Sequence, residues 1–87
     1  MSTGMRIETE AERELARFLA SQPSPDAILA FHPSPEVATR MYALIETERD
    51  GQLSEDERHE LDTYLNVEHF MRMVKAAARR RLDQQPQ

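Results

Sequence analysis

From Gln52 to Gln85 the chain contains neither glycine nor proline, and that unbroken run limits what 87 residues can become. Nothing in it stops a helix, so the spacing predicts one over residues 55–82, roughly 40 Å long at ~1.5 Å per residue. Its start is written in S-E-D-E: Ser54 is the N-cap, and Glu57 reaches back to the Ser54 amide to complete a capping box. Just before it, Gly51 suits the left-handed C′ position of a preceding helix, with Leu53 folding back as the accompanying apolar contact.

The rest of the chain must lie along that helix. Residues 6–21 carry Ile7, Ala11, Leu15, Phe18 and Leu19 on one side at a 3.6-residue period, which predicts a first helix stopped by Pro23 and Pro25. Two short echoes follow, PSPDAI at 23–28 and PSPEVA at 33–38. In each, a serine (Ser24, Ser34) is the N-cap and a proline (Pro25, Pro35) fills the first helical position. An acid (Asp26, Glu36) then sits at the positive end of the helix dipole. These starts predict a one- to two-turn helix over 25–31 and a longer one over 35–49. The inner face of the latter is Val37, Met41, Leu44 and Ile45, widened by Ala38 and Tyr42. The expected fold is all-α: a small four-helix domain over residues 6–82, with the long C-terminal helix packed on three shorter ones. Residues 1–5 and 83–87 are expected to be disordered.

Charge and composition narrow the function. Residues 1–74 carry seven Arg against fifteen Asp or Glu, a charge of −8. In residues 75–87, Lys75, Arg79, Arg80 and Arg81 against Asp83 give +3, for a net −5. An acidic body argues against non-specific nucleic-acid binding except through the C-terminal tail. There is no cysteine, hence no disulfide or thiolate metal site. The charged first twenty residues do not read as a signal peptide, and no stretch approaches the ~20 apolar residues of a membrane span. A cytoplasmic protein with no membrane association is expected.

Chemistry-bearing motifs are sparse. The stretch ETERDGQLSEDE places Glu46, Glu48, Asp50, Gly51, Leu53, Ser54 and Glu57 on the pattern of an EF-hand loop. Calcium loops normally begin with Asp, however, and Gly51 and Glu57 are already accounted for by helix ends, so a plain helix–turn–helix corner is expected. His32, His59 and His69 lack metal-ligand spacing. Ser24, Ser34 and Ser54 are consumed as N-caps, leaving no nucleophile with a partnered base. No catalytic residue, metal ligand or cofactor is assigned.

The long helix also has a broad apolar arc. Tyr64, Val67, Phe70, Met71, Val74, Ala77, Ala78 and Leu82 cover nearly half its circumference, with Leu61 and Leu65 to one side and Met73 on the other. That is more than three short helices can cover, and the C-terminal third is expected to lie beyond their reach. Phe70, Met73, Val74 and Ala77, rimmed by Arg79, Arg80 and Arg81, are the expected interaction residues. Those arginines also suit the negative C-terminal end of the helix dipole.

The segments AILAFHPSPEVATR and ERDGQLSEDERHELDTYLNVEHFMRMVKAAAR resemble a family of small bacterial helical proteins often encoded beside HNH- or PIN-type nuclease genes. The likeness spans residues 19–82. It rests on Phe31, Pro33 and Ser34; on Gly51, Leu53, Ser54, Glu57, Glu60, Leu61, Tyr64 and Leu65; and on Glu68, His69, Arg72, Lys75 and Arg79. It implies an antitoxin-like protein whose partner is a cognate protein such as a small nuclease toxin, although no DNA-binding half is evident. Three readings stand. The first is a non-enzymatic protein–protein interaction module binding its partner, or another copy of itself, through the long helix. The second is a homodimeric nucleic-acid-associated accessory protein using the basic tail. The third is a divergent EF-hand-like calcium-binding helix–loop–helix.

Overall fold

The computed structural model describes residues 9–84. It contains four helices and, among the described residues, no strand: α1 (Glu10–Ala20), α2 (Pro25–Ala30), α3 (Pro35–Arg49) and α4 (Glu55–Asp83). Each of the three shorter helices packs against α4, which is the spine of an all-α domain. The body measures 53 × 35 × 18 Å. Its thin dimension is less than two helix diameters of ~10–12 Å, so every helix keeps a solvent face.

The helix starts follow local chemistry. Ser24, Ser34 and Ser54 each accept a hydrogen bond from the backbone amide three residues on, at 3.1, 3.2 and 3.1 Å. Glu57 closes the capping box by accepting the Ser54 amide at 3.0 Å. A second capping box opens α1. There the Thr9 hydroxyl accepts from the Glu12 amide at 3.1 Å, and Glu12 accepts the Thr9 amide at 2.9 Å. Thr9 is extended (φ −78°, ψ 160°), so the first helix begins at Glu10 rather than at residue 6. The box captures the amides that a longer helix would have turned inward. Ile7, the expected disordered segment 1–5 and the end of the tail, 85–87, lie outside the described residues. Asp83 closes α4 one residue past the expected end.

α3 ends in a Schellman motif. Gly51, at φ +72°, donates to the Glu48 carbonyl at 2.8 Å, and Gln52 donates to the Thr47 carbonyl at 3.1 Å. α1 ends less comfortably. Gln22 takes a left-handed φ of +57° and donates to the Leu19 carbonyl at 3.1 Å. The next residue, Pro23, has no amide to complete the motif.

The core joins α1, α3 and α4 through Ala11, Val37, Leu44, Leu61 and Tyr64, with Met41, Ile45, Leu53 and Val67 packed around them. Leu44 and Leu61 are the largest fully buried side chains. This shifts the buried arc of α4 from the expected one: it turns toward Leu61, which bounds it on one side, while Phe70 and Ala77 face outward. Tyr42, expected on the inner face of α3, is 64% exposed, because the arc facing α4 is already filled by Met41, Leu44 and Ile45.

Nor is the C-terminal third of α4 beyond reach. α2 docks on α4, the Phe18 and Phe31 rings meet with centroids 4.4 Å apart, and Lys75 Nζ donates to the Phe31 carbonyl at 2.7 Å. Met71 and Ala78 are buried. A carboxylate oxygen of Glu14 accepts the Ser34 amide at 3.1 Å and ties α1 to the start of α3.

Candidate protein interface

α4 turns one face to its three partners and the opposite face to solvent. At ~100° per residue Leu61 lies about 180° from Phe70, so a buried Leu61 forces Phe70 outward. Phe70 is 44% exposed and Met73 52%, Ala77 is exposed and Val74 is half-buried. These four share one strip. Arg80 and Arg81 continue it toward the C-terminus, within about 80° of Phe70. Arg79 does not, since it projects about 180° away. Six of the seven residues expected at the interface are therefore brought together and one is separated from them.

Two features of this face escaped the sequence reading. Its N-terminal half is acidic: Glu55 and Asp62 are exposed on the same strip as Phe70. An alignment of charge with the apolar strip at helical period would have found them. The second is a groove beside the strip, between α1 and α4, of about 630 Å³, with Leu15, Leu19, Val67 and Phe70 as its apolar lining and Glu12 and Asp62 among its polar residues. Residues of α1 enter it because Ala11 and Leu15 are buried on α4, which leaves Ala16 and Leu19 along the edge.

On the far side, a smaller cleft of about 240 Å³ is lined by Phe31, Val37, Met41, Tyr64 and Met71, with Arg72 and Lys75 beside them. The Lys75 ammonium is engaged there by the Phe31 carbonyl.

The polar contacts of highest order lie between α3 and α4. Arg40 grips Glu60 through Nε and Nη2, each at 2.9 Å, and the Tyr64 hydroxyl donates to the same carboxylate at 2.9 Å. The Arg40 hydrogen bond, followed by that of Tyr64, holds the Glu60 carboxyl below the usual carboxylate range against the opposing effect of burial. Burial first, and the Glu60 hydrogen bond second, push the Tyr64 phenol up to about 12. The group is a structural clamp and contributes nothing to the outer face.

The EF-hand-like loop is occupied by its own contacts. Arg49 Nη1 lies 3.3 Å from Glu46 and Arg58 Nη1 lies 3.1 Å from Glu48, while Glu57 serves the capping box. Among the described residues no three His, Cys, Asp or Glu side chains are grouped to hold a metal ion. His59 and His69 are exposed, and His32 Nδ1 lies 3.2 Å from the Pro33 carbonyl oxygen. Among the described residues no helix is long and apolar enough to cross a membrane.

Comparison of the chain with protein-family models, with curated proteins and with solved structures finds no match.

Proposed function

We propose that this chain is a non-enzymatic, antitoxin-like protein–protein interaction module whose α4 outer face docks a cognate protein, a small nuclease. One observation carries the reading: Phe70 and Met73 stand exposed side by side on that face, next to an apolar groove. A Phe ring and a flexible thioether suit an adaptable docking surface, and leaving both in water forgoes roughly 1–2 kcal/mol each of burial that a partner would recover. The acidic body complements a basic nucleic-acid-cleaving enzyme. Ser24, Ser34 and Ser54 are committed to helix caps.

The test is direct association with a small HNH- or PIN-type nuclease, the partner class that the resemblance implies. The wild-type chain should form a complex in light-scattering chromatography. The double variant Phe70→Asp/Met73→Asp should keep its helical circular dichroism and lose the complex. A wild-type chain that forms no complex, or a variant that binds as well as the parent, overturns the reading.

A further inference from the structure

The outer face of α4 is complementary to itself reversed. Its N-terminal half carries Glu55 and Asp62, its middle Phe70, Met73 and Ala77, and its C-terminal half Arg80 and Arg81. All project within about 80° of Phe70. The other charges in the middle of the helix, Glu68, Arg72 and Lys75, project about 140° or more away from Phe70 and leave the strip clear.

We propose that, without its cognate partner, this face is covered by a second copy of the chain, in a two-fold dimer whose α4 helices run antiparallel. The proposal rests on the reading of α4 as a docking face and names a further occupant for it. The register follows from residue positions. Phe70 opposes Met73 of the second copy, Asn66 opposes Ala77, and Asp62 opposes Arg81. All three pairs are centred on the midpoint between Met71 and Arg72, so one two-fold axis satisfies them together.

An isologous interface repeats each contact twice, which gives two ring–thioether contacts and two Asp62–Arg81 pairs. The groove beside Asp62 includes Glu12, so the incoming arginines meet an acidic rim. A parallel arrangement fails on the same residues, because it would set Asp62 against Asp62 and Arg81 against Arg81. Each docked arginine neutralises an acid on a chain of net charge −5, which eases the repulsion between two acidic bodies.

Charge reversal tests this on the full chain by sedimentation equilibrium at low salt. The wild type should dimerise. Asp62→Arg and Arg81→Asp should each weaken the dimer about tenfold or more, since each turns two attractions into two repulsions. The double variant Asp62→Arg/Arg81→Asp should restore it. An equimolar mixture of the two single variants should form heterodimers in preference to either homodimer, a result that misfolding cannot produce. A wild type that stays monomeric at high micromolar concentration overturns the proposal, as does a dimer indifferent to these reversals. A monomeric chain that still binds a small nuclease through Phe70 sinks the dimer and leaves the docking reading standing. A rescued dimer that ignores the nuclease supports the dimer and removes the nuclease as partner.

Discussion

The guanidinium of Arg40 forks onto the carboxylate of Glu60 across the α3–α4 interface, with both N–H···O distances at 2.9 Å. Twenty residues apart in sequence, the two fix the register of α3 on α4, and the Tyr64 hydroxyl donates to the same carboxylate. The pair is partly solvated, so its worth is modest despite good geometry. Arg40→Met should lower unfolding free energy by about 1 kcal/mol, and Tyr64→Phe by a similar amount. Urea denaturation of both variants, with the double variant to expose their coupling through Glu60, checks this. Strict additivity would mean that the three groups do not act together.

The same clamp makes stability depend on pH at both extremes. Folding depresses the Glu60 pKa from an ordinary value near 4.5. Its contribution is complete above that value and is lost as pH falls through the lower folded one. Folding raises the Tyr64 pKa from 10.0 to about 12. That contribution is complete below pH 10 and fades between the two values. Thermal melts should show Glu60→Gln flattening the acid limb and Tyr64→Phe flattening the alkaline one. Unchanged limbs in these variants would assign the titrations to other groups.

Two left-handed residues give opposite predictions. Gly51 at φ +72° has no heavy atom within 4 Å of where a Cβ would stand, so Gly51→Ala costs only the backbone penalty, about 1 kcal/mol. Gln22 at φ +57° already carries that penalty. Gln22→Gly should relieve it and, after the entropy glycine adds to the unfolded chain, stabilise by about 0.5 kcal/mol. Melting curves of the two variants should move in opposite directions.

Calcium should leave the melting temperature unchanged. Glu46 and Glu48 are paired with Arg49 and Arg58, and Glu57 is spent on the Ser54 amide. A cation would have to break all three contacts to gather ligands from long glutamates at the start of the loop. A rise of several degrees that a chelator reverses would overturn this.

What the sequence made legible was local. Serine–proline pairs located the starts of α2 and α3, the capping box located α4, and glycine located the end of α3, because each acts within four residues of itself. The capping box of Thr9 and Glu12 is the same signal and was equally readable, yet the periodicity of Ile7 with Ala11 suggested an earlier start. Rotation of α4 was not legible. Its apolar residues span too wide an arc for periodicity to choose whether the Leu61 side or the Phe70 side is buried, and only the position of α3 decides. Nor could the sequence place α2 on the C-terminal third of α4, since the deciding contact joins Lys75 to a backbone carbonyl 44 residues away.

That contact supports the last prediction. α2 has six residues, far too few to persist as an isolated helix, so it survives only where it is docked. Its end, Phe31, is extended (φ −66°, ψ 137°) and presents its carbonyl to Lys75 Nζ at 2.7 Å. A cation at that position satisfies a carbonyl that helix termination leaves unpaired, and a charged donor makes the bond stronger than a neutral one. Lys75→Met keeps the length and apolar stem of the side chain and removes only the donor. It should cost about 1–2 kcal/mol. The loss should fall unevenly: amide hydrogen exchange of α2, notably at Ile28 and Phe31, should quicken more than that of the α3–α4 core around Leu44 and Leu61. Lys75→Arg, which retains a donor, should recover part of the protection. If α2 exchanges in Lys75→Met as it does in the parent, the ring contact of Phe18 with Phe31 and the burial of Met71 and Ala78 hold it unaided, and Lys75 is only a neighbour.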